Sequence, residues 1–228
     1  MTPGLKTALI FGTARLTTSQ TLNINKNIGS TQMNCAYDVV RKFEETIASY
    51  TGAKYGIAVE SCSAAIFLCC KFYEVKEIKI PKFTYPSVPC SIINAGGTVK
   101  FEDWEWQHYG WYELEPSPII DSAKCLIENM YVPGKAMCLS FHGKKRLKIG
   151  RGGMVLTDNI FLRDYLKLMR FDGRHECTLK NDILGAIGWN MYMTPEQAAR
   201  GLELLQWYKG GIDSFDEYSD LSKMGIFK

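Results

Sequence analysis

The sequence lacks several features that would assign it to a class at once. It has no apolar run long enough to span a membrane, and the apolar stretch near its start is too short for a signal peptide. Its eight cysteines form no C-x-x-C pair, and most lie in apolar runs such as IFLCCKF. These absences argue against a membrane span, a zinc site and a disulfide framework. They predict reduced core cysteines in a soluble, cytoplasmic protein without a bound metal.

A strong charge of one sign is also missing. The formal net charge of the 228 residues is +3 at pH 7, whereas nucleic-acid binders usually have a much stronger basic excess. Much of the excess lies in SFHGKKRLKIGRGG, from Ser140 to Gly153, which has five cations between Lys144 and Arg151. This stretch does not contain the G-x-x-x-x-G-K-[ST] pattern of a P-loop. It is therefore either a basic patch for a polyanion or a loop in which one lysine does chemistry.

Helical and strand patterns alternate from about Tyr37 onward. The stretch YDVVRKFEETIASYTGA has apolar residues at helical spacing, and Gly52 predicts its end. Short apolar strands such as YGIAV and AMCLSF alternate with helix-length segments, which predicts an α/β domain with a mostly parallel sheet flanked by helices. We divide the chain into an N-terminal arm (1–36), a main domain (37–209) and a C-terminal tail (210–228). In such a domain, ligands bind at the carboxyl ends of strands, beside helix N-termini.

Four stretches place candidate site residues at such strand ends. VESCSAAI opens a helix with Cys62 and Ser63, where first-turn amides can hold an anion, although simple capping explains the same residues. Asp121, at the end of strand PIID, either caps the next segment or pairs with a cationic ligand atom. Tyr85 either fills the core or stacks on a planar cofactor. In the basic stretch, a lysine beside a phosphate site and a carboxylate can form a Schiff base.

In this order, the stretches resemble the DegT/StrS-type aminotransferases, pyridoxal-phosphate (PLP) enzymes of fold type I that mostly act on nucleotide-linked keto sugars. The resemblance covers roughly residues 43–205. FEETIASYTGAKYGIAVESCSAAI resembles the family's F-E-x-x-x-A-x-Y-x-G-x-x-Y and its S-G-T-x-A-L turn, and IIDSAK resembles I-E-D-A-A-H/Q. SFHGKKRLKIGRGG resembles S-F-H-x-x-K-x-L/I-x-x-G-E-G-G, and GWNMYMTPEQAARGLELL resembles G-Y-N-x-R-M-T-x-x-Q-A-A-x-G-L-x-x-L.

The resemblance implies the large PLP-binding domain of fold type I and a role for each matching residue. Lys145 would form the Schiff base with PLP and then act as general base and acid, and Asp121 would pair with the pyridine nitrogen. The other cofactor contacts would be Cys62, Ser63 and Ser140 at the phosphate, Tyr85 on the ring, Lys124 near the phenolic oxygen, and Asn190 at the phosphate of a neighbouring subunit. The implied homodimer would move an amino group from an amino acid, expected to be glutamate, to a keto sugar through the pyridoxamine form of the cofactor.

The sequence also departs from the family pattern. Cys62 replaces a glycine, Lys124 a histidine or glutamine, Arg151 an acid and Tyr192 an arginine. Residues 206–228 stand where the family continues into a smaller C-terminal domain, which keeps open a non-catalytic or regulatory PLP-binding remnant. A PLP-dependent sugar dehydratase is disfavoured, because such relatives often have histidine at the Schiff-base position. The small net charge disfavours a nucleic-acid binder.

Overall fold

A computed structural model describes residues 10–11, 14–15, 35–214 and 218–227, so the predicted N-terminal arm lies almost wholly outside the described residues. The α-helices are α1 (Asp38–Thr51), α2 (Cys62–Phe72), α3 (Ser87–Asn94), α4 (Ile160–Met169) and α5 (Pro195–Leu205). The strands are β1 (Ile10–Phe11), β2 (Ala14–Arg15), β3 (Tyr55–Val59), β4 (Glu77–Pro81), β5 (Thr98–Glu102), β6 (Tyr112–Leu114), β7 (Ile119–Asp121), β8 (Cys125–Leu126), β9 (Ala136–Ser140), β10 (Gly153–Thr157) and β11 (Gly211–Ile212). Within these ranges, no helix combines the length and apolar character needed to cross a membrane.

The main sheet has five strands in the order β3-β10-β9-β7-β6. Strands β7 and β9 are parallel, and β10 is antiparallel to both β3 and β9, so β3, β7 and β9 run in the same direction. Strand β10 runs against them because it follows β9 through a hairpin loop, and a parallel neighbour would need a much longer crossover. The parallel pair β4–β5 lies beside β6, where Lys79 and Glu115 form a bridge. The predicted α/β fold of helices around a sheet is confirmed.

Helices cover both faces of the sheet. One core lies under α2, α3 and α4, and the other lies under α1 and α5. Strand β10 contributes to both cores, with Val155 in the first and Met154 in the second, because successive strand side chains point to opposite faces. Helix α1 buries Phe43 and Ile47 in the second core, as the helical spacing of its apolar residues predicts. The sheet is therefore the middle layer, and only its edges and strand ends reach the surface.

The predicted helix ends are present where the sequence places them. Gly52 ends α1 with φ of 77°, the left-handed conformation that favours glycine. At the start of α5, the Thr194 hydroxyl accepts from the Gln197 amide, and the Gln197 side chain accepts from the Thr194 amide at 2.9 Å. This capping box pairs two amides that the first turn leaves without intrahelical acceptors. It fixes the start of the helix that packs beside α1.

Candidate active site

Strand direction gathers the predicted stretches at one edge of the sheet. Because β3, β7 and β9 run the same way, their carboxyl ends meet there, bringing Ser61, Asp121 and Ser140 to that edge. Strand β10 begins at the same edge, and its first residue, Gly153, lies opposite Ser140 on one side and Val59 on the other. This is the edge at which open α/β sheets bind their ligands.

The first turn of α2 is pressed against the start of β10. A Cβ atom at Gly153 would lie 2.3 Å from the carbonyl carbon of Ser61 and 2.5 Å from the amide nitrogen of Cys62, so only glycine fits. The Ala64 amide of this first turn donates to the Ser61 hydroxyl at 3.1 Å, while the amides before it have no acceptor within the helix. Ser63 lies in the same turn. Its hydroxyl donates to Ser87 Oγ at 2.7 Å, which joins the starts of α2 and α3. Two helix N-termini with hydroxyl side chains therefore face the same end of the sheet, an arrangement suited to a phosphate.

The close approach at Gly153 gives a testable prediction. Gly153→Ala should lower the free energy of unfolding by about 1–3 kcal/mol, because the added methyl group must push backbone atoms apart. The matched control is Gly143→Ala, where the nearest atom to an added Cβ is 3.8 Å away. Chemical denaturation of both variants measures the difference. Equal stability of the two would contradict the tight contact.

Asp121 is a buried carboxylate whose hydrogen-bond donors are neutral groups. It accepts hydrogen bonds from the Tyr112 hydroxyl at 2.9 Å and from the Ala123 amide at 2.9 Å. Burial raises the pKa of Asp121, while these hydrogen bonds and the charge of Lys145 oppose the rise. A cation placed against this carboxylate would therefore be stabilised and would favour its ionised form.

Cys62 fills the space between the first turn of α2 and Asp121. Its sulfur lies 3.9 Å from Asp121 Oδ1 and 3.5 Å from the carbonyl oxygen of Cys138. Burial, followed by the nearby charge of Asp121, raises the pKa of the Cys62 thiol well above its ordinary value. The side chain therefore remains a neutral thiol and is unsuited to act as a nucleophile.

The basic stretch forms the hairpin loop between β9 and β10. The loop closes on itself through the Phe141 amide, which donates to the Gly152 carbonyl at 2.9 Å. Lys144, Arg146, Lys148 and Arg151 are exposed. Lys145 differs, because only 17% of its side chain is exposed and its charge lies near enough to Asp121 and Cys62 to oppose the rise in the pKa of both groups. Of these five cations, Lys145 is the one directed toward the sheet edge.

The remaining predicted residues fall into two places. Lys124 is buried, and its ammonium group donates to the Ser214 carbonyl at 2.8 Å and lies 5.3 Å from the centre of the Tyr218 ring. Tyr85 is 60% exposed and has its ring centre 6.4 Å from that of Tyr218. Asn190 is exposed and donates to Asp172 at 3.3 Å. Lys124 and Tyr85 therefore both contact Tyr218, while Asn190 precedes Met191, whose carbonyl accepts from the Glu60 amide at the end of β3.

Two departures from the family pattern have physical partners. The Arg151 guanidinium donates to the Glu60 carboxylate at 2.6 Å, so the residue that replaces an acid is itself paired with an acid. Tyr192 packs its ring against Tyr37 and Phe171, with centre distances of 5.7 and 4.9 Å. The arginine of the pattern is thus replaced by part of an aromatic cluster. Both changes keep the rim of the site packed and paired.

Three polar groups at the site were not found from the sequence. Tyr112 bonds Asp121 from the neighbouring strand, Ser87 bonds Ser63 from the next helix, and Asp213 lies 3.9 Å from the Lys145 ammonium group. Ser87 could have been found from the sequence, because it begins the predicted helix that follows Tyr85. Tyr112 and Asp213 have none, since each reaches the site through a short strand without a visible period.

The chain matches the DegT/DnrJ/EryC1/StrS aminotransferase family over residues 15–115 and 132–214. The chain belongs to this family. The matched residues include Lys145, Ser63 and Ser140 and leave out 116–131, the segment with Asp121 and Lys124. The assignment of these last two residues therefore depends on their motif and on the geometry described above.

Curated relatives and solved structures agree with the family. The chain is 25% identical to the spore coat polysaccharide biosynthesis protein SpsC of Bacillus subtilis, over 73% of this chain and 56% of SpsC. It is 25% identical to GDP-perosamine synthase of Escherichia coli O157:H7, over 89% of this chain and 67% of that enzyme. An aminotransferase of the same family from Brucella abortus shares the fold with a TM-score of 0.64 at 19% identity, over 83% of this chain and 63% of that chain. The chain thus spans between 56% and 67% of the length of these three proteins.

The family's cofactor is PLP, and the residues at the sheet edge fit it. NtdA of Bacillus subtilis, solved with the cofactor in its pyridoxamine form, shares the fold with a TM-score of 0.63 at 20% identity, over 83% of this chain and 52% of NtdA. In the present chain, the contact at Gly153 holds the N-terminus of α2 at the sheet edge, and a helix N-terminus with hydroxyl side chains suits a phosphate. Buried Asp121 suits a protonated ring nitrogen, and Lys145 is the lysine that faces both.

Proposed function

We propose that this chain is a PLP-dependent aminotransferase that moves an amino group from glutamate to a keto sugar linked to a nucleotide. The single observation that supports this most is the inward Lys145, at the edge where Asp121 and the first turn of α2 meet. PLP, when bound, supplies an electron sink for bond changes at the carbon that carries the amino group. The chain's own residues then have to bind, orient and move protons.

Each residue at the edge has a task that its geometry supports. The Lys145 side-chain nitrogen would carry the covalent link to the cofactor and, once released as a neutral amine, take a proton from the substrate carbon and return it. The Asp121 carboxylate would keep the proton on the pyridine nitrogen. Ser63, Ser140 and the first-turn amides would bind the phosphate. Tyr85 would stack on the ring, and Lys124 would stabilise negative charge on the phenolic oxygen.

A nucleotide-linked acceptor is supported by the rim of the site and by a relative. The exposed cations Lys144, Arg146 and Lys148 border the edge where the cofactor would lie and can attract a diphosphate group. The name of GDP-perosamine synthase describes an amino sugar linked to a nucleotide. The exposed cations and the relative's name together favour a nucleoside diphosphate sugar over a free sugar as the acceptor.

The proposal is tested by the donor half of the reaction. Protein loaded with PLP and freed of excess cofactor is mixed with L-glutamate, and 2-oxoglutarate is quantified. We expect close to one equivalent of 2-oxoglutarate for each bound cofactor, because the amino group remains on the protein-bound cofactor. Protein that retains PLP but produces no oxo acid from glutamate or other amino acids would support the non-catalytic alternative instead.

We propose a homodimer that uses the loop before Asn190. Leu179, Ile183, Leu184 and Ile187 are between 66% and 85% exposed, an apolar surface that a second copy could cover. Placing two charges there, with Ile183→Asp and Ile187→Asp together, should convert the dimer to a monomer. The matched control is Ile226→Asp, an equally exposed isoleucine elsewhere on the chain. Light scattering after size exclusion measures the masses, and a double variant that stays dimeric would contradict this interface.

We propose that the protein is cytoplasmic. All eight cysteines are described and are free thiols. Reduced thiols are the rule in that compartment. The proposed nucleotide-linked substrates would have to be available to the protein there. Fractionation of the producing cells checks the location.

A further inference from the structure

The segment after α5 returns to the candidate active site. Its strand β11 pairs with β8, which places Gly211 opposite Leu126 and Ile212 opposite Cys125. The next residue, Asp213, donates its amide to the Lys124 carbonyl at 2.8 Å. In return, the Lys124 ammonium group donates to the Ser214 carbonyl at 2.8 Å. Residues predicted as part of a tail are thus fixed by backbone and side-chain bonds beside the segment that carries Asp121.

The Asp213 carboxylate reaches the loop that carries Lys145. Its Oδ1 atom accepts from the Arg146 amide at 2.9 Å, and its Oδ2 atom lies 3.9 Å from the Lys145 ammonium nitrogen. Only 12% of the Asp213 side chain is exposed, so water competes little for these contacts. Three cations surround the carboxylate, namely Lys124, Lys145 and Arg146. This side chain therefore links the returning segment to the basic loop at the lysine itself.

We propose that Asp213 is a positioning residue that holds Lys145 at the sheet edge, an inference that rests on the proposed function. The loop fixes the Lys145 amide through the His142 carbonyl at 2.8 Å. It fixes the next amide, that of Arg146, through Asp213. Because both amides are held, the backbone conformation at Lys145 is fixed. The direction in which its side chain extends from the loop is therefore fixed as well.

The two contacts of Asp213 differ in strength. The hydrogen bond to Arg146 has ordinary length, whereas the ion pair to Lys145 is at the outer limit for such pairs. The hydrogen-bond acceptor should therefore matter more than the negative charge. An asparagine at 213 keeps an acceptor oxygen in place, and an alanine does not.

The test compares Asp213→Ala with Asp213→Asn. Each protein is exposed briefly to PLP and reduced with borohydride, and the fraction modified at Lys145 is measured by peptide mass spectrometry. Loss of the hydrogen bond to the Arg146 amide predicts about tenfold lower modification in Asp213→Ala. Asp213→Asn should stay near wild type. The control, Asp220→Asn, removes a carboxylate of the same segment that accepts from Ser222 and lies 3.6 Å from the Lys223 ammonium nitrogen, and it should also stay near wild type.

A second readout needs no cofactor. Amide hydrogen exchange should be slow at Arg146 in wild type and in Asp213→Asn, and fast in Asp213→Ala. The proposal would be overturned if Lys145 of Asp213→Ala is modified by PLP as fully as in wild type. It would also be overturned if Asp213→Asn is modified as little as Asp213→Ala. If Asp213→Ala does not fold, a rapidly exchanging Arg146 amide in the wild type would overturn it as well. If the wild type captures no PLP, the proposed function fails, while the exchange data still decide whether Asp213 holds the loop.

Discussion

Lys145→Ala is expected to abolish covalent binding of PLP, whereas Lys144→Ala should leave it intact. The two lysines are adjacent in sequence, but Lys144 is exposed and Lys145 is directed toward Asp121 and the first turn of α2. The covalent link needs an amine at the position where phosphate and ring are held, so charge alone is insufficient. The absorption spectrum of PLP should shift when wild-type protein or Lys144→Ala is added.

The same spectra distinguish a basic patch that attracts phosphate from a lysine that forms a Schiff base. A patch that merely attracts the phosphate would lose little when either lysine is removed, because the other exposed cations remain. Equal spectral shifts in wild type and Lys145→Ala would contradict the assigned role. Thermal unfolding of both variants serves as the control, because neither lysine side chain belongs to the buried core.

Asp121→Asn is expected to keep covalent capture of PLP but to slow the glutamate half-reaction by about a hundredfold to several thousandfold. The expected loss corresponds to about 3–5 kcal/mol, the typical cost of removing one partner from a buried ion pair. Asparagine retains the shape and can still accept from the Tyr112 hydroxyl or the Ala123 amide. The rate of 2-oxoglutarate formation in a rapid-mixing experiment measures the effect. A half-reaction within a few-fold of wild type would show that Asp121 does not pair with the cofactor.

The same variant should change how stability depends on pH. Burial raises the pKa of Asp121, so the folded protein holds a proton there more readily than the unfolded chain. The stability associated with this group is therefore fully present below the unfolded-state pKa of about 3.9 and is lost as the pH rises through the raised folded-state pKa. Relative to wild type, cofactor-free Asp121→Asn should gain stability across that window and keep the gain at higher pH. A difference in melting temperature that does not vary with pH would contradict this.

The sequence predicts the parts of the fold that have a clear period. Helix α1 shows its buried face in the spacing of Phe43 and Ile47, and the capping box at Thr194 marks the start of α5. The short strands β6, β8 and β11 have two or three residues each, too few for an alternating pattern. Their pairing depends on which distant strand lies beside them, and this is decided by the packed sheet.

The candidate site follows the same division. Lys145, Asp121 and Ser63 stand in motifs at strand ends, and the strand directions bring them together. Asp213 stands in a glycine-rich stretch without a motif, and it reaches the loop through the pairing of β11 with β8. Arg151 could have been interpreted together with Glu60, since the two opposite charges stand at ends of neighbouring strands. Such partners become visible when the residues on both sides of a predicted site are considered as pairs.

Peptide mapping of wild-type protein treated with PLP and borohydride tests the central claim most directly. The account predicts that the mass of the reduced cofactor is found on Lys145 and that Lys144, Lys148 and Lys124 remain unmodified. Modification of Lys124 in place of Lys145, or an even spread over the surface lysines, would contradict it.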